Sequence, residues 1–107
     1  MDIVCVGINH HTAPVEVRER FAVSEGKLGE ESVRIRELEG IEEGVVLSTC
    51  NRTEYYAAAE DCRTAREQLR MFLQTHAGDE LHAEHLYEIE RIEAARHVCR
   101  VVSGLDS

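Results

Sequence analysis

The segment 2–8 (DIVCVGI) limits the possible folds more than any other feature, because it is apolar at nearly every position. Such a run is typical of a strand that is buried on both faces. The 107 residues are enough for one small domain with one core, and 43% of them are hydrophobic. We therefore expect a single folded domain in which structure packs on both sides of the first strand.

The rest of the chain alternates between helical and extended patterns. Apolar spacing typical of helices occupies the segments 14–21, 24–39, 61–76 and 92 onward. Strand-like runs occupy 45–48, 53–59 and 86–90. The first two of these runs lie close enough along the chain to form a hairpin. The order β-α-α-β-β-α-β-α predicts an α+β fold, with a small, mostly antiparallel four-stranded sheet packed against helices.

The charge balance argues against a phosphate-binding surface on this domain. The formal net charge is −9, with 21 acidic residues against 12 basic ones. Glutamate is abundant and lysine is almost absent, which suits a halophile's cytoplasm or an ordinary acidic domain equally well. The glycines are isolated and no GxGxxG motif occurs, so we expect no dinucleotide site within the chain itself.

Neither a long apolar run nor a signal peptide is present, which predicts a cytoplasmic protein without a membrane partner. The sequence stops at SGLDS, directly after a helical pattern and without a polar tail. We interpret it as a piece of a longer protein.

The cysteines have wide, irregular spacings that indicate neither a disulfide framework nor a metal site. Cys5, Cys62 and Cys99 have apolar neighbours and are predicted to be small core residues. Only Cys50 has polar neighbours on both sides.

Cys50 lies at the predicted hairpin turn, in the stretch VVLSTCNRTEYY. A half-buried structural role is the commoner one for a cysteine. Three features favour a functional role. The residue lies in a turn, and Arg52 can stabilise a thiolate there. Thr49, Asn51 and the turn backbone can donate hydrogen bonds to an oxyanion. A thiolate attacking a carboxylic ester would give a thioester, which is more electrophilic toward hydride or amine.

His97 lies on the last predicted helix, roughly opposite its apolar side, so we do not expect a core histidine. That apolar side is formed by Ile92, Ala95, Cys99 and Val102. A solvated surface histidine and a general acid or base facing a cleft are equally compatible with this spacing. The apolar Val101 lies near His97 and hints that this face is covered.

Two further groups have competing interpretations. The pair His10 and His11 raises the alternative of a metal site that includes Cys50. No ligand spacing supports such a site, so we predict loop histidines held by local hydrogen bonds. Arg52 and Glu54 alternate along a strand and therefore share a face. They form either a structural ion pair or a site where Arg52 contacts a substrate carboxylate.

Three segments, GINHHTAPVEVRERF, LSTCNRTEYY and ARHVCRVVSGLDS, occur in this order and together resemble the N-terminal catalytic domain of the glutamyl-tRNA reductase family. The resemblance covers the whole chain. The family reduces glutamyl-tRNA to glutamate-1-semialdehyde with NADPH, the first committed step of the five-carbon route to tetrapyrroles (porphyrins). The resemblance implies that residues 1–107 form the catalytic, substrate-binding domain.

The resemblance implies catalytic roles for two residues. Cys50 matches the family nucleophile, which attacks the aminoacyl ester, releases tRNA and holds glutamate as a thioester. His97 matches the histidine that assists the cysteine or protonates the leaving oxygen.

Other positions are matched to the substrate. Arg52 corresponds to the arginine that recognises the glutamate moiety, and Thr49 and Asn51 to polar neighbours that line the same pocket. Ser103 matches a position near the substrate. Glu54 fills the last place of the STCNRTE motif, to which the resemblance assigns no clear role.

The same resemblance implies an NADPH-binding domain and a helical dimerisation domain, neither of which is in this chain. It implies a homodimer of the full-length protein and glutamate-1-semialdehyde aminomutase as a possible partner. Two rival hypotheses stay open: a cysteine acyltransferase or hydrolase without redox chemistry, and a non-catalytic α+β binding module. A Cys50 with the reactivity of an ordinary thiol would favour the second.

Overall fold

The structure, a computed structural model, describes residues 1–77 and 83–105. Within these ranges the strands are β1 (Asp2–Asn9), β2 (Glu43–Ser48), β3 (Arg52–Ala59) and β4 (Tyr87–Glu90). The α-helices are α1 (Val15–Phe21), α2 (Glu25–Arg36), α3 (Cys62–Ala77) and α4 (Arg91–Val102). The predicted order β-α-α-β-β-α-β-α and the α+β class are confirmed. None of the described helices has the length and apolarity needed to cross a bilayer.

The strands form one four-stranded sheet in the order β2-β3-β1-β4, and every neighbouring pair is antiparallel. The predicted hairpin is the β2–β3 pair. β1 lies inside the sheet, so that Gly7 stands opposite Glu54 of β3 on one side and Tyr87 of β4 on the other.

One face of the sheet packs on α1, α2 and α3 and forms the main hydrophobic core. Val4, Val6 and Ile8 of β1 are fully buried on this face. They belong to the same cluster as buried residues of all three helices, namely Val17, Phe21, Ile35, Ala65, Leu69 and Leu73. Full burial of one such side chain contributes about 1.5–3 kcal/mol, so this layer is a large part of the fold's stability.

The helix α4 packs on the opposite face, mainly over β1 and β4. The alternation of side chains along the strands places Cys5, Gly7, Glu54 and Tyr87 on that face. Residues 4–9 of β1 are all buried. The prediction that the first strand is covered on both faces is therefore confirmed.

The orientation predicted for α4 is wrong. Ile92 and Val102 are 64% and 73% exposed, and Cys99 is exposed as well. Ala94 is the fully buried residue of the helix, and the side chain of His97 is only 12% exposed. α4 packs over a polar part of the sheet, so its apolar stripe does not mark its inner side. Cys5 and Cys62 are buried as predicted, but Cys99 is not a core residue.

The antiparallel path brings three chain segments to one edge of the sheet. β1 ends there at Asn9, opposite Arg52 at the start of β3. The β2–β3 turn lies at the same edge because Ser48 pairs with Thr53. The helix α4 follows β4, and its C-terminal end also reaches the β2–β3 turn. The segments that carry the sequence motifs therefore converge.

Gly7 provides the space that Glu54 occupies. A Cβ atom at Gly7 would lie 2.7 Å from the backbone oxygen of Thr53 and 2.9 Å from Cγ of Glu54. We expect Gly7→Ala to lower the free energy of unfolding by about 1–3 kcal/mol, because the neighbouring backbone and the Glu54 side chain must move. Urea denaturation measures this change.

Gly29→Ala in α2 is the matched control, since a Cβ atom there would meet nothing within 4 Å. It should raise the free energy of unfolding by up to about 1 kcal/mol, because alanine favours a helix. Equal stabilities of the two variants would contradict the close packing at Gly7.

Candidate active site

The β2–β3 turn exposes Cys50. The N–H of Thr49 donates to the carbonyl oxygen of Arg52 at 2.8 Å. The hydroxyl oxygen of Thr49 accepts hydrogen bonds from the N–H groups of Asn51 (3.2 Å) and Arg52 (3.3 Å). The N–H groups of Thr49, Asn51 and Arg52 are engaged within the turn, so the predicted stabilisation of an oxyanion would not come from these three backbone donors.

Cys50 lines a cavity of about 360 Å³. Its other walls are Leu47, Thr49, Asn51 and Arg52 from the hairpin and Val101, Val102 and Gly104 from the end of α4. The structure therefore brings together the four predicted residues of the turn. The aliphatic walls suit the carbon chain of an acyl group, and Thr49, Asn51 and Arg52 provide polar walls beside them.

Arg18 of α1 is a neighbour of Cys50 that the sequence analysis missed. Its Nη1 donates to the carbonyl oxygen of Cys50 at 3.4 Å, and its Nε is buried without a hydrogen-bond partner among the described residues. This contact places a positive charge at the turn that carries the Cys50 thiol. Arg18 and Cys50 are 32 residues apart in the chain, so no local pattern joins them.

The carboxylate of Glu54 is fully buried beneath α4. Its Oε1 accepts a hydrogen bond from the hydroxyl of Tyr56 at 2.6 Å, and its Oε2 accepts one from the hydroxyl of Tyr87. Oε2 also lies 2.5 Å from Nε2 of His97 and 3.4 Å from Nη1 of Arg52. We refer to these five residues, from β3, β4 and α4, as the Glu54 cluster.

The two tyrosines of the cluster are held as neutral hydrogen-bond donors. Burial, followed by the neighbouring Cys5 and Glu54, raises the pKa of Tyr56. Burial and the hydrogen bond to Glu54 raise the pKa of Tyr87. Burial also raises the pKa of the Cys5 thiol, which keeps this sulfur protonated and unreactive.

Arg52 connects the Glu54 cluster to the cavity of Cys50. Its side chain is 3% exposed, pairs with Glu54 and lines the cavity. The predicted shared face of Arg52 and Glu54 is confirmed, and so is their ion pair. Contact between Arg52 and a substrate stays a prediction.

His97 lines a different cavity from Cys50. This second cavity, of about 170 Å³, is also lined by Ile89, Glu93, Arg96 and Arg100. The face of α4 that carries His97 is covered, as the neighbouring Val101 suggested. The structure thus pairs His97 with Glu54 and places Arg52 and Glu54 between His97 and Cys50.

Ser103 lies at the C-terminal end of α4. Its hydroxyl donates to the carbonyl oxygen of Cys99 at 2.7 Å, and the side chain is exposed. Its neighbours Val102 and Gly104, rather than Ser103 itself, line the cavity of Cys50.

His10 and His11 are exposed in the turn that follows β1, with ring centroids 3.9 Å apart. The N–H of His11 donates to Oδ1 of Asn9 at 2.9 Å, and the N–H of Asn9 donates to the hydroxyl of Thr12 at 3.0 Å. The turn is held by local hydrogen bonds, as predicted.

Cys5, Glu54 and His97 are the described residues whose donor atoms come close enough to hold a metal ion, within 4.8 Å of one another. Two observations disfavour this. Nε2 of His97 and Oε2 of Glu54 are only 2.5 Å apart, too close for two ligands of one Zn²⁺ at about 2.0–2.2 Å. The Cys5 thiol would also have to lose a proton that burial retains. The geometry is that of a hydrogen-bonded cluster.

A comparison with protein families matches residues 6–107 to the description "Glutamyl-tRNAGlu reductase, N-terminal domain". The chain belongs to the glutamyl-tRNA reductase family. The resemblance carried by the three sequence segments is confirmed over nearly the whole chain.

Similar proteins agree with this family. The chain is 50% identical over 108 residues to a glutamyl-tRNA reductase of Akkermansia muciniphila, covering 100% of the chain and 32% of that relative. It is 42% identical over 109 residues to one from Geobacillus thermodenitrificans, covering 24% of it. The solved structure of the glutamyl-tRNA reductase from Methanopyrus kandleri matches 98% of the chain and 23% of its own length, with 31% identity and a TM-score of 0.65. The chain thus spans between 23% and 32% of the length of these family members.

The four thiols should react with iodoacetamide at different rates in the folded protein. We expect Cys50 to react first, Cys99 more slowly, and the buried Cys5 and Cys62 only after unfolding. Arg18→Met should slow the reaction of Cys50 by up to about fivefold, because Arg18 contacts the backbone of Cys50 and a charge about 4 Å from an exposed anion stabilises it by about 1 kcal/mol. Peptide mass spectrometry measures the rates, and Cys99 is the internal control. Equal rates for Cys50 and Cys99 would contradict an activated thiol.

Proposed function

We propose that this chain carries the acyl-transfer step of glutamyl-tRNA reduction, in which Cys50 accepts the glutamyl group of glutamyl-tRNA as a thioester. The observation that supports it is the position of Cys50: it is exposed in a turn and lines a cavity that Arg52 also lines, and the guanidinium of Arg18 donates to its backbone carbonyl oxygen. For the longer protein we propose the family's overall reaction, reduction of glutamyl-tRNA to glutamate-1-semialdehyde for tetrapyrrole synthesis.

The step begins with transfer of the Cys50 thiol proton to solvent. The thiolate attacks the carbonyl carbon of the glutamyl ester, a carbon–sulfur bond forms, and the carbon–oxygen bond to the terminal ribose breaks. The ribose oxygen leaves with the electron pair and takes up one proton, so that uncharged tRNA and a cysteinyl thioester result. No oxidation occurs in this step, and the thioester remains available for reduction.

We assign His97 as the group that gives the leaving ribose oxygen its proton. This role requires the bound acceptor end to reach from the cavity of Cys50 to that of His97, past Arg52 and Glu54. After the transfer the imidazole is neutral, and the Glu54 carboxylate accepts a hydrogen bond from its Nε2.

Arg52 is proposed to recognise the γ-carboxylate, the only charged carboxylate that the glutamyl ester retains. A guanidinium group can bind a carboxylate through two parallel hydrogen bonds. Thr49 and Asn51 are proposed to contact the substrate around it, and Leu47 and Val101 the aliphatic part of the glutamyl chain. The contact of Ser103 with the substrate stays a proposal that rests on the family alone.

NADPH does not fit the described residues. β1 leads into the turn of His10 and His11 and a seven-residue helix that follows Pro14, without a glycine-rich loop that could approach a pyrophosphate. We propose that the cofactor binds outside these 107 residues. A cytoplasmic location, a homodimer of the longer protein and an aminomutase partner stay proposals that rest on the family alone.

Cys50→Ser should abolish the thioester. Incubation of the chain with glutamyl-tRNA should add one glutamyl group, detected by intact mass spectrometry and removed by hydroxylamine. Cys99→Ser, which removes the other exposed thiol, is the matched control and should retain the adduct. A hydroxylamine-sensitive adduct on the Cys50→Ser variant would refute Cys50 as the nucleophile.

Arg52→Lys should lower the selectivity for glutamyl-tRNA over glutaminyl-tRNA, whose side chain is neutral, by about tenfold or more. Lysine cannot reproduce the bidentate geometry with a carboxylate. Single-turnover acylation of Cys50 with each substrate gives the ratio of rates. Arg63→Lys, on the exposed side of α3, is the control for an arginine-to-lysine change. An unchanged ratio in Arg52→Lys would contradict the assigned role.

A further inference from the structure

We propose that Tyr56 and Tyr87 are positioning residues, whose hydroxyls hold the Glu54 carboxylate so that it fixes the tautomer and orientation of His97. This inference rests on the proposed function, because it concerns the residue assigned there to proton transfer. It gives roles to two tyrosines that do not line the cavity of Cys50.

The first step of the argument is the direction of the hydrogen bonds at Glu54. Tyr56 donates to Oε1 at 2.6 Å and Tyr87 donates to Oε2. Both phenols keep their protons because burial and Glu54 raise their pKa. Arg52 adds a permanent positive charge 3.4 Å from Oε2. At each of these contacts the Glu54 carboxylate is the acceptor.

The second step concerns the imidazole. Because Glu54 is an acceptor, the 2.5 Å contact requires Nε2 of His97 to carry a proton. Nδ1 is then the nitrogen that accepts a proton when the ring is neutral and releases it when the ring is an imidazolium. A carboxylate that fixes a histidine in this way raises catalysis by holding the correct tautomer, as in the Ser-His-Asp triad described for serine proteases.

The third step is the rigidity of the arrangement. Tyr56 and Glu54 belong to β3, and Tyr87 belongs to β4, the strand beyond β1. Gly7 of β1 lies between Glu54 of β3 and Tyr87 of β4 in the sheet, and it leaves room for the Glu54 side chain. The carboxylate is thus held from two strands, so loss of either hydroxyl should let it move relative to α4.

Other charged and titratable groups near His97 are placed differently. Cys5 on β1 is a buried neutral thiol, and Glu93, Arg96 and Arg100 of α4 line the cavity with His97. Arg96 pairs with Glu93 at 3.3 Å. Glu54 is the carboxylate in direct contact with the ring.

The test is a nitrogen NMR measurement on the ¹⁵N-labelled 107-residue chain, at pH values where the His97 ring is neutral. We expect Nε2 protonated and Nδ1 unprotonated in the wild type. Tyr87→Phe and Tyr56→Phe should each give a mixture of tautomers. In single-turnover acylation by glutamyl-tRNA, each should lower the maximal rate about tenfold with little change in the substrate concentration for half-maximal rate.

Tyr55→Phe is the matched control. Tyr55 is the neighbour of Glu54 on β3 but faces the opposite side of the sheet, and its buried hydroxyl has no hydrogen-bond partner among the described residues. Its loss should change neither the tautomer nor the acylation rate. Glu54→Gln should give a mixture of His97 tautomers. It should also lower the acylation rate about a hundredfold, which is the lower end of what general acid–base catalysis contributes.

A wild-type ring protonated on Nδ1, or present as a mixture, would overturn the inference. So would Tyr56→Phe and Tyr87→Phe variants that both behave like Tyr55→Phe in the NMR measurement. The NMR readout is independent of acylation: a fixed tautomer in a chain that forms no thioester would support this inference and refute the proposed function of Cys50.

Discussion

The carboxylate of Glu54 is the interaction on which the arrangement of α4 and the sheet depends. A charge buried without partners is strongly destabilising, so this one requires compensation from its surroundings. The hydroxyls of Tyr56 and Tyr87, the imidazole of His97 and the guanidinium of Arg52 provide it. These groups come from three secondary-structure elements. The docking of α4 is therefore specified by polar contacts rather than by an apolar interface.

This dependence explains which parts of the fold could be predicted from the sequence. The strands, the hairpin and the helices of the core layer follow from local apolar patterns, and the structure has them in the predicted order. The inner side of α4 could not be found in this way. Apolar periodicity identifies the inner side of a helix only when its partner surface is apolar. Here Ile92 and Val102 face outward while His97 faces the sheet.

The candidate site was predictable to the extent that its residues are neighbours in sequence. Thr49, Cys50, Asn51 and Arg52 form one turn, and their proximity follows from the hairpin alone. Tyr56 lies on the face of β3 that carries Arg52 and Glu54, so alternation along the strand could have indicated it. Arg18 and Tyr87 reach the site through helix packing and the pairing of β1 with β4. No local pattern encodes either contact.

The division into two cavities gives Arg52 a central position. Arg52 lines the cavity of Cys50 and is connected to the imidazole of His97 through its ion pair with Glu54. A change of charge at the Glu54 cluster would therefore alter the environment of the side chain that is proposed to bind the substrate's carboxylate. The domain can remain acidic overall, because its arginines at this edge provide positive charge where the proposed acyl group would bind.

The missing side chain at Gly7 has a consequence for how the sequence can vary. Position 7 and position 54 share one volume, since any added carbon at the first meets the methylene of the second. The effects of substitutions at the two sites should therefore be non-additive. A shorter acid at position 54 would withdraw the carboxylate from α4 and would still leave an alanine at position 7 against the backbone oxygen of Thr53, 2.7 Å away. Glycine at position 7 is therefore what allows position 54 to carry a carboxylate long enough to reach His97.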